Sequence, residues 1–273
     1  MNQIIDILIN TSFNINSKEV KNSFDINSII QNCNSIKKNG KVNLAPLGSF
    51  YFPYTELGSI KSTDFFNLNE IVMFAYYWRF KDRYEKTADM GSCLGLHSLV
   101  MEKCGFDVDC YEPDPETFKK LIFNLKKNNL KVNPINSAIS DFNGKSNFTR
   151  LNNNSTGSHI SGMKKRVYGS IEELEIEVIN LDSVVNQYDL IKLDIEGSEG
   201  LAFDSLTKNI KTDFFIEIHN ETNSKKIFDK SVQLGLNIFS QKIEWGKVVN
   251  FNMMPLNYRE GGVFITKRDS MFD

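Results

Sequence analysis

From Lys86 onward the chain alternates short apolar runs with amphipathic segments: "KTADMG", a helical stretch over 95–105, "DVDCYEPD", a second over 115–130, then "KVNPINSAIS". Neighbouring parallel strands need a crossover of roughly a dozen residues or more, which a helix supplies. The rhythm therefore predicts a doubly wound, mostly parallel α/β sheet. It resumes with a buried strand at 189–195, a helix over 198–209, the strand "TDFFIEIHN", a helix near 222–234 and two final strands, "LNIFSQKIEW" and "GGVFITKR". Between the two halves the polar stretch 148–170 has little to bury and suits a hairpin or mobile loop.

At 273 residues the chain has room for one large domain, or a domain with an appendage. Residues 1–64 lack the regular rhythm and read as an N-terminal appendage, helical with a β-hairpin, ahead of a main domain over 65–273. Within it "GKVNLAPLGSFYFPYTELG" mixes aromatic runs with Gly and Pro, the punctuation of a twisted hairpin. The helix starting near Asn67 places Ile71, Phe74, Ala75 and Trp78 on one stripe, which should pack on the main domain.

Composition excludes several classes. Apolar residues at 41% argue against disorder, and a net charge of −2 offers no excess of positive charge for nucleic acid. The basic clusters Lys119-Lys120, Lys126-Lys127 and Lys164-Lys165-Arg166 read as solvated surface. Cys33, Cys93, Cys104 and Cys110 form no CxxC pair, which fits reduced thiols in the cytoplasm. "MNQIIDILIN" is too short for a membrane span and lacks a basic leader, so no membrane partner is expected.

"ADMGSCLGLHSLVMEKCG" leaves a strand, turns through Gly91 and Gly95, and continues as a helix. Glycine suits backbone that passes close to a ligand, although a tight strand-to-helix turn alone needs it equally. About twenty residues on, Glu112 ends the second strand, where a carboxylate can accept both hydrogen bonds of a ribose diol. Asp89 precedes the first glycine and Cys93 replaces the middle glycine of a dinucleotide fingerprint. A carboxylate at that turn repels pyrophosphate and suits a ligand with an amino group and a sulfonium centre. S-adenosylmethionine is thus favoured over NAD.

With "YEPDP", "NSAIS", "NNNSTGS", "IKLDIEGSEG" and "IEIH" following in order, the chain resembles FkbM-type S-adenosylmethionine-dependent methyltransferases over about residues 65–267. The resemblance implies a seven-stranded class I methyltransferase sheet whose last strand is antiparallel, and methyl transfer to a hydroxyl of a sugar or small metabolite. Asp89, Gly91 and Gly95 would line the methionine moiety, Glu112 the ribose, and Ser137 and Ala138 the adenine edge. Ser92, Cys93, Leu96, His97 and Pro113 would flank them. The family usually carries Ala-Asn where Ser92-Cys93 stand.

Ligands of open α/β sheets sit beyond the carboxyl ends of the strands, where Asp89, Glu112, Asp194 and His219 should project. Period-two alternation puts Lys192, Asp194 and Glu196 on one side if their strand stays extended, with Glu217 and His219 sharing a side of the next. We expect His219 as general base, titrating near neutrality, and Asp194 orienting the acceptor hydroxyl or the cofactor amine. Glu196 stands beside Asp194, and Lys192 serves the chemistry or neutralises its neighbouring acids. Glu199 reads as a helix-start acid, His97 as a packing neighbour of the cofactor, and His159 as solvated, unless "NSTGSH" folds over the acceptor as a lid. Mg²⁺ held by Asp194 with Glu217 or Asn220 is possible but not favoured, because no further acid is evidently positioned to finish the site. The rivals are an NAD-linked oxidoreductase and a binding module without turnover.

Overall fold

The computed structural model describes residues 8, 10, 11, 34–151, 157–162, 170–207 and 209–272. Strands β1 (Lys41–Asn43) and β2 (Ser49–Tyr51) form the antiparallel hairpin that the Gly and Pro punctuation predicts, and β3 (Glu56–Leu57) pairs with β4 (Ile60–Lys61). Helix α1 (Leu68–Arg79) starts at Asn67, whose side chain accepts the N–H groups of Asn69 and Glu70, two of the donors a helix start leaves open. The alternation follows as β5 (Lys86–Met90), α2 (Leu96–Lys103), β6 (Asp107–Tyr111), α3 (Pro115–Lys127) and β7 (Asn133–Ile135). "KVNPINSAIS" is not one strand. The chain bends at 136–137, and β8 (Ala138–Ser140) joins a second sheet with β9 (Gly144–Leu151), β10 (His159–Ile160) and β11 (Ile171–Asn180). The main sheet resumes through α4 (Leu181–Val184), β12 (Leu190–Leu193), α5 (Glu199–Asp204), β13 (Asp213–Glu217), α6 (Glu221–Leu234), β14 (Asn237–Ser240), β15 (Gly246–Lys247) and β16 (Gly262–Thr266).

Among the described residues the main sheet holds eight strands in the order β15-β14-β16-β13-β12-β5-β6-β7. The pairings from β13 to β7 are parallel, and β16 lies antiparallel between β13 and β14. The expected seven strands are thus corrected to a mixed sheet of eight. The addition arises because Glu244 and Trp245 take positive φ and turn the chain back, so that two-residue β15 pairs with the edge of β14.

Alternation sorts the strand side chains onto two faces. Leu190, Phe215 and Phe264 pack with α1 and α2, whereas Ile191, Phe214 and Ile265 pack with Ala202 and Phe203 of α5 and Ile227 of α6. Both faces are covered, as parallel strands require, and each large apolar side chain so buried contributes about 1.5–3 kcal/mol. Val42, Phe50 and Phe52 from the N-terminal segment join the first of these clusters. On α1, Ile71, Phe74 and Ala75 are buried, but Trp78 is only partly covered, and Tyr76 and Tyr77 are enclosed instead. The helix is contacted on more than one side: Tyr76 rests on Phe215 and Phe264, and Tyr77 on His97 and Phe215.

Helix α5 is shorter than the predicted 198–209, since Thr207 turns away to bind Asp182 through its N–H and hydroxyl. Lys119, Lys120, Lys126 and Lys127 are exposed, while Lys164-Lys165-Arg166 and Cys33 lie outside the described residues. Cys93, Cys104 and Cys110 are free thiols. No described helix is long and apolar enough to cross a membrane.

Candidate active site

A cleft of about 1280 Å³ opens over the carboxyl ends of β5, β6, β12 and β13. Gly91 leaves β5 at φ 85°, and its N–H and that of Ser92 both donate to the Tyr111 carbonyl. A Cβ on Gly91 would stand 1.7 Å from the Asp194 carbonyl oxygen, so the neighbouring strand by itself demands glycine here. Gly95, at φ 82°, likewise faces Leu121 of α3, 2.4 Å from where its Cβ would be. Cys93 adopts φ 49° without being glycine, and its N–H donates to Glu112 Oε2 at 2.9 Å. The other Glu112 oxygen accepts the Asp114 N–H. Burial pushes the Glu112 carboxyl up to about 8.

Gly91, Ser92, Cys93, Leu96, His97, Glu112, Pro113, Ser137 and Ala138 all line the cleft. Asp89 and Gly95 are not among the lining residues. The Asp89 carboxylate is fully buried behind the wall, where Oδ2 accepts the N–H and hydroxyl of Ser98, and Oδ1 lies 3.7 Å from Lys192 Nζ. Its charge is spent on tying β5, α2 and β12 together. The expectation that Asp89 faces a ligand at the turn does not describe this geometry.

At the ends of β12 and β13 the acids converge on one imidazole. Strand β12 stops at Leu193, and Glu196 at φ 56° and Gly197 at φ 107° turn the chain into α5. Glu196 therefore reaches the site through a turn rather than by strand alternation. His219 Nε2 lies 3.5 Å from Glu196, 3.8 Å from Asp194 and 4.0 Å from Glu217, while Nδ1 is 3.0 Å from Glu199, off the axis of a good hydrogen bond. Lys192 Nζ donates to Asp194 at 3.0 Å.

Burial opposes charge on His219, yet Glu199, Glu196 and Asp194 outweigh it and hold the imidazole protonated well above its ordinary range. This corrects the expectation of a histidine titrating near neutrality. Burial likewise opposes charge on Asp194, but Lys192 and His219 keep it ionised, below the usual carboxylate range. Glu217 is pushed well up by burial and then by the Asp194 charge, and so retains its proton.

Glu199 does more than begin a helix. Fully buried, it accepts the N–H groups of Ile195 and Gly197 and the Asn223 amide, and backs His219 from behind. The objection to a metal also changes: Asp194, Glu217 and His219 bring ligand atoms within 4.8 Å of one another.

The second sheet forms the far wall. His159, expected in solvent, is buried, because β10 pairs with β9 and turns its ring inward, where Nδ1 meets the Gly157 carbonyl at 2.9 Å. Phe148, His159 and Ile160 line the cleft. Arg150 of β9 fixes this wall by a two-pronged bond to Asp114, the N-cap of α3. Part of "NSTGSH", 154–156, lies outside the described residues.

Sequence reasoning missed Glu70 and Tyr77. Glu70 lines the cleft from the first turn of α1, where an acid three residues past Asn67 reads as an ordinary helix-start acid.

A cleft at the carboxyl edge of a sheet with this order defines a methyltransferase-like α/β fold. The chain belongs to the FkbM methyltransferase family: the pattern described as "Methyltransferase FkbM domain" matches residues 89–254, more than half its length. By family it is thus a methyltransferase. Similar solved structures include a SAM-dependent methyltransferase from Agrobacterium tumefaciens, with 10% identity, TM-score 0.45, and 84% of this chain and 70% of that one covered. A precorrin-6y C5,15-methyltransferase from Geobacter metallireducens has 11% identity, TM-score 0.37, and coverage of 69% and 83%. Aeropyrum pernix fibrillarin with natively bound S-adenosyl-L-methionine has 10% identity, TM-score 0.37, and coverage of 66% and 65%. A search of curated proteins returned no match.

Proposed function

We propose that the protein O-methylates a hydroxyl of a sugar or small metabolite. The observation that carries this reading is the His219 cluster, four carboxyl groups around one imidazole, in the same cleft as the glycine turn and Glu112. Gly91 to Leu96 and Glu112 fit the methionine and ribose of S-adenosylmethionine, with Pro113, Ser137 and Ala138 toward the adenine. When bound, that cofactor supplies an electrophilic methyl group on a positively charged sulfur.

In-line approach of the acceptor oxygen to that methyl requires the reacting atoms about 3–3.5 Å apart, so orientation supplies much of the rate. Asp194, ionised and aimed into the cleft, stabilises the positive charge that the proton brings to His219. His219 receives the proton at Nε2 once a cationic ligand offsets the acids that keep it charged, and Glu199 holds the ring from Nδ1. Glu196 and Lys192 tune the charge on either side.

Incubation with methyl-labelled cofactor and a panel of sugars, small alcohols and amines tests the reading. Label on oxygen, lost in H219A and D194N while S-adenosylhomocysteine still binds, supports it. Label on nitrogen or carbon refutes it, and unchanged turnover in both variants would return the cluster to structure.

One observation favours a second reading of acceptor activation. Two carboxyl groups and an imidazole, Asp194, Glu217 and His219, would suit a divalent cation once it displaces the protons of Glu217 and His219, and the cation would lower the pKa of an acceptor hydroxyl. Loss of turnover on chelation, restored by Mg²⁺ or Mn²⁺, would select it.

A further inference from the structure

The acids lining the cleft sort by position. Glu112 ends β6 with both oxygens on backbone N–H groups, and Asp194, Glu196 and Glu217 gather around His219. Asp64 accepts the Lys61 N–H in its own turn. Glu70 touches none of these acids, although its charge reaches Lys192 and Glu217 across the cleft. It reaches the cleft from α1 beside His97, in the first turn of α2, directly after the glycine turn.

Its Oε2 lies 2.6 Å from His97 Nε2, and His97 Nδ1 lies 3.1 Å from the Tyr77 hydroxyl. Tyr77 is fully enclosed, burial keeps its phenol protonated, and its hydroxyl anchors the ring at Nδ1. At the other end of the ring Glu70 Oε2 accepts the hydrogen bond of Nε2–H. Phe74 packs edge-on to the imidazole at 5.0 Å and fixes its plane. The carboxylate is thus held by a chain of rigid rings, while its Oε1 has no hydrogen bond to protein among the described residues and the side chain keeps 25% exposure.

A preorganised carboxylate with one oxygen open to a cleft is built for a cation. The turn it adjoins is where the methionine end of the cofactor is expected, and Asp89, the acid expected there, is buried behind the wall. We propose that Glu70, on a helix outside the family-matched segment, holds the α-ammonium group of S-adenosylmethionine, with His97 and Tyr77 as positioning residues. The proposal rests on the methyltransferase reading and adds a contact that residues 89–254 do not contain.

Calorimetric titration of wild type, E70Q and E70D tests it with two ligands: S-adenosylhomocysteine, which carries the ammonium, and 5′-methylthioadenosine, which lacks the amino-acid end. E70Q should bind S-adenosylhomocysteine at least tenfold more weakly and methylthioadenosine as wild type does. E70D, which keeps the charge but draws it back, should show a smaller loss confined to the same ligand. Unchanged S-adenosylhomocysteine affinity, or equal loss for both ligands, overturns the proposal. Should E70Q melt early, the same comparison in E70D decides. A wild type that binds neither ligand removes the methyltransferase reading and this inference together; a wild type that binds both, with indifferent variants, removes only the inference.

Discussion

Replacing Gly91 by alanine separates two explanations of the glycine turn, because Gly105 provides a matched control. Both glycines have positive φ, 85° and 98°, but an added Cβ meets nothing within 4 Å at Gly105 and the Asp194 carbonyl oxygen at 1.7 Å at Gly91. Left-handed backbone costs a non-glycine residue about 1–2 kcal/mol, and G105A should lose about that much. G91A adds an overlap that only separation of β5 from β12 relieves, at the point where the Asp194 N–H donates to the Met90 carbonyl. Losing one or two such buried bonds adds about 1–3 kcal/mol each, for a total of about 2–8 kcal/mol. Urea midpoints of the two variants, measured side by side with the wild type, read the difference directly. Equal midpoints would refute the argument that strand approach, rather than ligand approach, fixes this glycine.

Glu199→Gln puts an amide donor among the N–H groups that the carboxylate accepts, so it should cost about 1–3 kcal/mol by thermal melting. In wild type, burial raises Glu112 from an ordinary 4.5 to about 8. The native state therefore keeps a proton that the unfolded chain releases, and stability falls as pH rises through that window, on the order of 5 kcal/mol at 1.36 kcal/mol per pH unit. Denaturation of wild type and E112Q at pH 5 and pH 8.5 should show the slope reduced in the variant. Arg150→Met leaves the buried Asp114 without its bidentate partner, and should cost about 1–3 kcal/mol and speed proteolysis within β9–β11.

Much of the fold was legible because its signals are local. Alternation of strand and helix periods and the Gly and Pro punctuation each depend on a few neighbouring residues. The break of "KVNPINSAIS" into two sheets was hidden, since both pieces carry the same extended signal and differ only in partner. Trp78 and Tyr77 exchanged burial because the amphipathic stripe assumes one buried face, whereas α1 is contacted on several.

By itself the sequence determined which residues stand at the strand ends: Glu112 after β6, Asp194 after β12 and His219 after β13 follow from run length and alternation. Only the tertiary structure decided what each carboxylate does there. Asp89 and Glu199 are spent on holding elements together, Glu196 arrives through a left-handed turn, and Glu70 enters from a helix remote in the chain. The reason is physical: a carboxylate's role is set by which donors lie within about 3 Å of it, and those come from segments whose approach no local pattern encodes.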